Sequence, residues 1–171
     1  VRFHFVPDEK NKELGQFIHL GTRLQDNANP NDKQFHRLDD MVATTGVAFL
    51  GISFGCARCH DHPVDPMSTE EYYQLTATFW NQVQETPKAK RKTIPLEINE
   101  PRVLGKGSWR SPKQPVQPGF LKVLNRKEDA EWLHGKNELA ALGNWLTDPK
   151  QGAGELLARV IVNRLWHHHF G

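Results

Sequence analysis

The sequence predicts a mainly α-helical fold with long irregular loops, on three observations. Apolar residues recur at helical spacing between positions 34 and 54. Ser68 and Glu71 have the spacing of a capping box, so a helix is expected from there to about Trp80. A last helix is expected over about 154–168, where one stripe carries Leu157, Ile161, Leu165 and His168.

The N-terminal third is expected to hold a short strand at 1–5, a short helix at 11–24 and a loop at 26–32. The long helix at 34–54 follows. Gly46 and Gly51 lie inside that helix. They are expected either to weaken it or to permit the close approach of a flat partner such as a porphyrin, because glycine has no side chain.

Prolines and glycines shape the middle of the chain. Pro63 and Pro66 prevent a long helix directly after position 62. The lysine-rich stretch 85–92 is interpreted as a solvated linker, with a docking patch for an acidic redox partner as the alternative. At most two short strands fit 93–104, and 105–119 is expected to be loop.

A further helix is expected over 127–146, where leucines are periodic and Pro149 follows. No internal repeat is visible. The composition therefore divides the chain into an N-terminal domain at 1–81, a linker at 82–119 and a helical C-terminal segment at 120–171.

Composition narrows the class of protein. The 171 residues are 25% charged and 37% apolar, and the net charge is +2. That charge is too small to argue for nucleic acid or an anionic membrane as a partner. The sequence contains no run of 18 apolar residues, so no transmembrane segment is expected. The sequence begins with Val1 and shows no signal peptide, so we expect a processed or partial chain.

Cys56-Ala57-Arg58-Cys59-His60 contains both cysteines of the chain. This C-x-x-C-H spacing is typical of covalent c-type haem attachment. Two thiols three positions apart can each add to one vinyl group of a porphyrin, and the histidine becomes the axial ligand of the iron. We therefore expect haem c bound through Cys56, Cys59 and His60.

Three other interpretations of the cysteines are open. A thioredoxin-like dithiol needs a βαβ context, whereas the preceding residues 47–55 read as apolar helix. A zinc site would use Cys56, Cys59 and histidines such as His60 and His62, at a spacing unusual for a zinc finger. Two inert core cysteines are the last possibility.

A six-coordinate haem needs a second axial ligand. His62 is too close to His60 to reach the opposite face, so we expect it beside the haem, bonding a propionate or the backbone. His168 lies on the apolar stripe of the last helix, so it is expected to point inward and is the first candidate for the distal ligand. The alternative is that the histidines at 167–169 are ordinary helix-end residues, which favour the negative end of the helix dipole. The other candidates are His167, His169, Met41, Met67, His4, His19 and His36.

Residues 38–46, Phe49-Leu50-Gly51, Cys56 to His62, Asp65-Pro66 and Tyr72-Tyr73 together resemble a planctomycete-type cytochrome-like domain family of unknown function. This chain has Pro63 and Val64 where the family usually has Lys and Phe. The stretch 145–171 resembles the start of the domain that usually follows it. The family resemblance implies haem c held by Cys56, Cys59 and His60, and an extracytoplasmic location. Asp61, His62 and Asp65 match family positions without a known role.

The expected fold is thus a small irregular cytochrome c-like haem domain at 1–81 with a helical C-terminal lobe. The expected function is single-electron transfer by a periplasmic or otherwise extracytoplasmic mono-haem domain, as an electron carrier rather than an enzyme. Its partner would be a redox protein, within a larger membrane-associated complex. The alternatives are a haem enzyme or ligand sensor with an open sixth site, and a zinc-stabilised structural module.

Overall fold

A computed structural model describes residues 28–83, 97–126, 128–135 and 137–171. Within these residues the protein is mainly helical with one two-stranded sheet, which confirms the predicted fold class. The predicted elements at 1–5, 11–24 and 85–92 lie outside the described residues. No helix in the described ranges is long and apolar enough to cross a membrane.

Helix α1 spans Pro30–Thr45 and begins at Asn29, whose side chain accepts the N–H of Asn31 at 2.8 Å. A π-helical turn, Gly46–Leu50, continues it. The helix ends at Gly51, which has a left-handed φ of 66°. The prediction of a helix to position 54 is therefore wrong at its end, because a left-handed residue cannot continue a right-handed helix.

Gly46 permits a close approach from within the chain. A Cβ on Gly46 would lie 2.7 Å from the Ile52 carbonyl oxygen and 2.9 Å from the Phe54 ring. The Phe54 ring, eight residues along the sequence, therefore makes this close approach, and the approach of a porphyrin stays a prediction. This contact folds the chain back after Gly51 and brings the next residues against the core.

Helices α2, Thr69–Thr78, and α3, Trp80–Val83, follow almost without a break. The predicted capping box is confirmed: Ser68 Oγ accepts the Glu71 N–H at 3.2 Å, and Glu71 Oε2 accepts the Ser68 N–H at 2.8 Å. The other oxygen of Glu71 accepts the N–H of Lys122 at 2.8 Å. One buried carboxylate therefore joins the start of α2 to the C-terminal half of the chain.

Strands β1, Arg102–Leu104, and β2, Pro112–Pro115, form an antiparallel hairpin with a bulge. The expectation of loop throughout 105–119 is wrong at β2. Prolines are tolerated there because the two-stranded sheet leaves β2 an edge on one side. Val103 and Leu104 are buried and pack the hairpin against α2.

The C-terminal half contains α4, Asp129–Leu133, α5, Glu138–Thr147, and α6, Gly154–Phe170. The single helix predicted at 127–146 is therefore two helices, and Gly135 between them has a left-handed φ of 66°. Trp145 on α5 is fully buried and stacks on Phe120, with ring centroids 5.1 Å apart.

One continuous hydrophobic cluster runs from Phe35 on α1 to Ala153 before α6, and includes Val103 and Leu142. Buried residues from all three predicted segments thus share a core. The division at 81 and 119 stays a prediction.

The predicted last helix is confirmed as an element, but its stripe does not point inward. Leu157 is buried, whereas Ile161, Leu165 and His168 are exposed. Within the described ranges α6 packs against α5 and the π-helical turn, where Arg164 donates to the carbonyls of Val47 and Ala48. Helical periodicity identifies a face of α6, but too few residues pack over the last turns to bury it.

Candidate cofactor-attachment site

The cysteine segment forms a short 3₁₀ helix, Gly55–Arg58. The carbonyl of Cys56 accepts the N–H of Cys59 at 3.2 Å and that of His60 at 3.5 Å. Cys56 therefore lies within this turn, and Cys59 and His60 follow directly after it, joined to it by these two hydrogen bonds. Both thiols are free and exposed, and His60 is exposed as well.

Ala57 and Arg58 anchor the cysteine segment to the rest of the protein. Ala57 is fully buried in the core. The Arg58 guanidinium donates to Asp39 Oδ2 on α1 at 3.1 Å and twice to the Gly107 carbonyl, at 2.9 and 3.2 Å. One side chain therefore ties the cysteine turn to a helix before it and to the hairpin after it.

Two tyrosines of α2 complete this network. The Tyr72 hydroxyl donates to Asp39 Oδ1 at 2.5 Å, and the Tyr73 hydroxyl donates to the Arg58 carbonyl at 2.9 Å. Burial and the Asp39 carboxylate raise the pKa of Tyr72 well above its ordinary value. Burial likewise raises the pKa of Tyr73, although the Arg58 cation opposes the shift. Both phenols are therefore held as neutral donors.

These pKa shifts predict a loss of stability in alkali. A phenol whose pKa is raised by folding stabilises the protein below pH 10, the ordinary tyrosine value, and that contribution is lost as the pH rises further. We expect the free energy of unfolding to fall by up to about 1.4 kcal/mol per pH unit for each tyrosine. Urea unfolding at pH 9, 10 and 11 measures the slope.

The control is the Tyr72→Phe, Tyr73→Phe double variant, which keeps the lysine titrations of the wild type. Its unfolding free energy should depend less on pH above 10. An unchanged slope in the double variant would contradict the assignment of the alkaline loss to the two phenols.

One ring nitrogen of His60 makes a hydrogen bond within the chain. Its Nδ1 lies 2.8 Å from the Asp61 carbonyl oxygen, which has no hydrogen to give, so Nδ1 carries the proton and donates. In the neutral ring this leaves Nε2 unprotonated, with its lone pair available to a metal. A hydrogen bond from the second nitrogen to a carbonyl is the usual support of a metal-binding histidine.

His62 has the opposite tautomer and a different task. Its side chain is only 6% exposed, and its Nδ1 accepts the N–H groups of Asp65 at 2.8 Å and Val64 at 3.4 Å. Nδ1 is therefore unprotonated. The backbone N–H of His62 also donates to the Met67 carbonyl at 2.8 Å. His62 thus closes the turn after His60 through backbone hydrogen bonds, and its place beside a haem stays a prediction.

The hairpin turn closes the site beside the second thiol. Gly107 has a left-handed φ of 69°, and a Cβ there would lie 3.0 Å from Cys59 Sγ and 2.9 Å from Arg58 Nε. Gly55, at the other end of the cysteine turn, would meet nothing within 4 Å. The segment is therefore packed on its Arg58 and Cys59 side and open on its Gly55 side.

The structure brings Cys56, Cys59, His60 and His62 into one short stretch but leaves the distal ligand open. His168, with His167 and His169, occupies the exposed last turn of α6. Met41 and Met67 are buried in the core, and His4 and His19 lie outside the described residues. The roles of all these residues stay predictions.

Sequence reasoning missed the residues that hold the cysteine turn in place, which are Asp39, Tyr72, Tyr73 and Gly107. A usable signal existed for three of them, since Asp39, Tyr72 and Tyr73 belong to the stretches that carry the family resemblance. Gly107 carried none, because its neighbours are a loop-like run of glycine, lysine and serine.

Residues 4–85 match the model of a family described as PSCyt2, protein of unknown function, DUF1549. The match contains the cysteine turn, α1 and α2, and most of the residues that carry the resemblance. No curated protein and no solved structure matches the chain. The comparisons thus support the resemblance as one to a family without an assigned function.

Proposed function

We propose that the chain is an extracytoplasmic mono-haem c-type cytochrome domain that transfers single electrons to a redox partner. The observation that carries the proposal is the cysteine turn: two free, exposed thiols and an imidazole with an available Nε2, all within or directly after one short helical turn. Each thiol would add across one vinyl group of haem, forming a C–S bond while its proton goes to the neighbouring carbon.

The donor set fits haem on three counts. His60 Nδ1 is anchored on the Asp61 carbonyl, which fixes the ring for ligation through Nε2. A Cβ built on Gly55 would meet nothing within 4 Å, so the surface is open beside the cysteine turn. Arg58 and Tyr73 hold the turn in place through hydrogen bonds that do not involve the thiols. The bound haem would supply a one-electron iron couple.

The exposure of the attachment residues favours electron transfer over catalysis. Because Cys56, Cys59 and His60 are all exposed, a group attached to them keeps an edge at the protein surface. A surface edge suits exchange of electrons with another protein. A haem enzyme or ligand sensor would need an open sixth position, and that difference can be measured directly.

A zinc-stabilised module is less well supported by the described residues. Among them no three or more His, Cys, Asp or Glu side chains lie close enough to hold a metal ion. A structural zinc site needs four such ligands. Cys56, Cys59 and His60 would therefore have to rearrange or recruit a distant side chain.

The test is an absorbance spectrum of the chain produced with an export leader in a bacterium that attaches haem c. We expect a Soret band that stays with the polypeptide after extraction with acidified butanone, and sharp visible bands on reduction. Carbon monoxide should leave the reduced spectrum unchanged if two residues ligate the iron.

A shift under carbon monoxide would instead support the ligand sensor or haem enzyme. No Soret band, combined with stoichiometric zinc by metal analysis, would overturn the proposal in favour of the structural module. Location is checked separately, by fractionating the native host and asking whether the chain appears outside the cytoplasm.

A further inference from the structure

The hairpin beside Cys59 carries positive charge only. The stretch 102–115 contains four cations and no acidic residue: Arg102, Lys106, Arg110 and Lys113. Arg102 pairs with Glu100, and Arg110 lies over the Trp109 ring and 3.8 Å from Asp32. Lys106 and Lys113 are exposed and have no ion pair within the described part of the chain.

These two lysines lie at the turn that touches the thiol. Gly107, directly after Lys106, is the residue whose Cβ would reach Cys59 Sγ. The stem of Lys113 crosses the same turn, since its Cε would lie 3.3 Å from a Cβ on Gly105. Both ammonium groups are therefore carried by the piece of surface adjoining the attachment site.

Lys106 adopts this position at an energetic cost. Its φ of 51° and ψ of 34° are left-handed, and it is the one residue other than glycine with a positive φ among those described. A lysine is less stable in the left-handed region than glycine or asparagine. No contact in the described residues uses the ammonium group, so the fold gives no reason for a lysine there.

The acidic residues around the site do not cancel this charge. Asp39 is paired with Arg58. Asp61 and Asp65 keep their charges, since Asp61 Oδ1 only accepts the N–H of Thr69 and the His62 Nδ1 beside Asp65 carries no proton, but both lie in the loop after His60 and not on the hairpin. The Asp39 and Arg58 charges neutralise each other. The two lysines therefore leave the hairpin side of the site net positive.

We propose that the surface made by Lys106, Lys113 and the turn Gly105–Gly107 docks an acidic electron-transfer protein, whose carboxylates pair with the two lysines beside Cys59. The nature of the partner rests on the proposed function, because an electron must pass from the group attached at Cys59. The docking surface itself is present in the polypeptide with or without that group.

The first test measures the surface alone, with fluorescein-labelled hexaglutamate as the probe and fluorescence anisotropy as the readout at low salt. The Lys106→Gln, Lys113→Gln double variant should bind about fivefold more weakly, since each exposed charge changes such affinities about two- to threefold. Lys150→Gln, which removes an exposed lysine elsewhere, should leave binding unchanged.

Lys106→Asn separates a docking role from a structural one. Asparagine tolerates the left-handed conformation, so this variant should unfold at a higher urea concentration while binding the peptide more weakly. A lysine needed only for the fold would lose stability on substitution. Equal binding by the wild type and the double glutamine variant, or an equal loss in Lys150→Gln, would overturn the proposal.

The second test uses the haem-loaded chain. Oxidation of the reduced haem by anionic hexacyanoferrate(III) should slow with added salt and in the double variant, while a cationic cobalt(III) phenanthroline complex should show the reverse. Identical responses to both oxidants would contradict a positive surface at the haem edge. Absence of haem would be seen in the absorbance spectrum and would refute the proposed function. The peptide-binding experiment would still test whether the surface binds an acidic partner.

Discussion

The Cys56→Ala, Cys59→Ala double variant is expected to lose covalently bound haem completely, whereas each single variant keeps it through one remaining thioether. Both thiols are exposed and free, so their removal takes nothing from the core. The free energy of unfolding should therefore change by less than about 0.5 kcal/mol. Extraction with acidified butanone, followed by spectra of the two phases, measures the covalent fraction.

The fold of the double variant is checked by circular dichroism of the same preparations. A variant that retains its haem in the protein phase would contradict attachment at these cysteines. Ser53→Ala provides a matched control, because Ser53 is an exposed residue of similar size just before the cysteine turn. That variant should keep both its haem and its stability.

The Asp39→Ala variant is expected to lose about 2–3 kcal/mol of stability. The substitution leaves the buried Tyr72 hydroxyl without its acceptor and removes the ion pair of Arg58. The Tyr72 hydroxyl would have no acceptor in its 2% exposed position, and Arg58 would keep only the Gly107 carbonyl. Urea unfolding measures the loss. Because Arg58 belongs to the cysteine turn, the reduction potential of the haem-loaded variant should shift as well.

Asp40→Ala is the control for this prediction. It removes the neighbouring carboxylate of the same helix, which makes no hydrogen bond or ion pair within the described ranges. The stability loss of Asp39→Asn should fall between those of the two alanine variants, since the amide oxygen can still accept the hydrogen bond from the Tyr72 hydroxyl but carries no charge. An Asp39→Ala loss no larger than that of Asp40→Ala would contradict the network.

The sequence was informative where structure depends on neighbouring residues. The capping box at Ser68 and Glu71 could be predicted because both partners lie within one helical turn. The cysteine turn could be found for the same reason. The partners of Arg58 could not be predicted, because Gly107 lies 49 positions away and is brought there only by the packing of the hairpin on α2.

Periodicity also has a physical limit, which α6 illustrates. The spacing of Leu157, Ile161, Leu165 and His168 correctly predicts that they share a helix face. Whether that face is buried depends on what packs against it, and the described residues cover only its first turn. Likewise, the helical spacing of apolar residues between positions 34 and 54 does not reveal that Gly51 is left-handed.

The contacts of Arg58 also bear on the order in which the site assembles. Its bond to Asp39 closes 19 residues and that of its carbonyl to Tyr73 closes 15, whereas the bond to Gly107 closes 49. The longer closure costs about 1 kcal/mol more in chain entropy. We therefore expect the contacts of the cysteine turn with α1 and α2 to form first during refolding and the hairpin to dock afterwards. In native-state hydrogen exchange the hairpin should open before the helices, so the contact of Gly107 with Arg58 and Cys59 would be released by a local fluctuation of the folded protein.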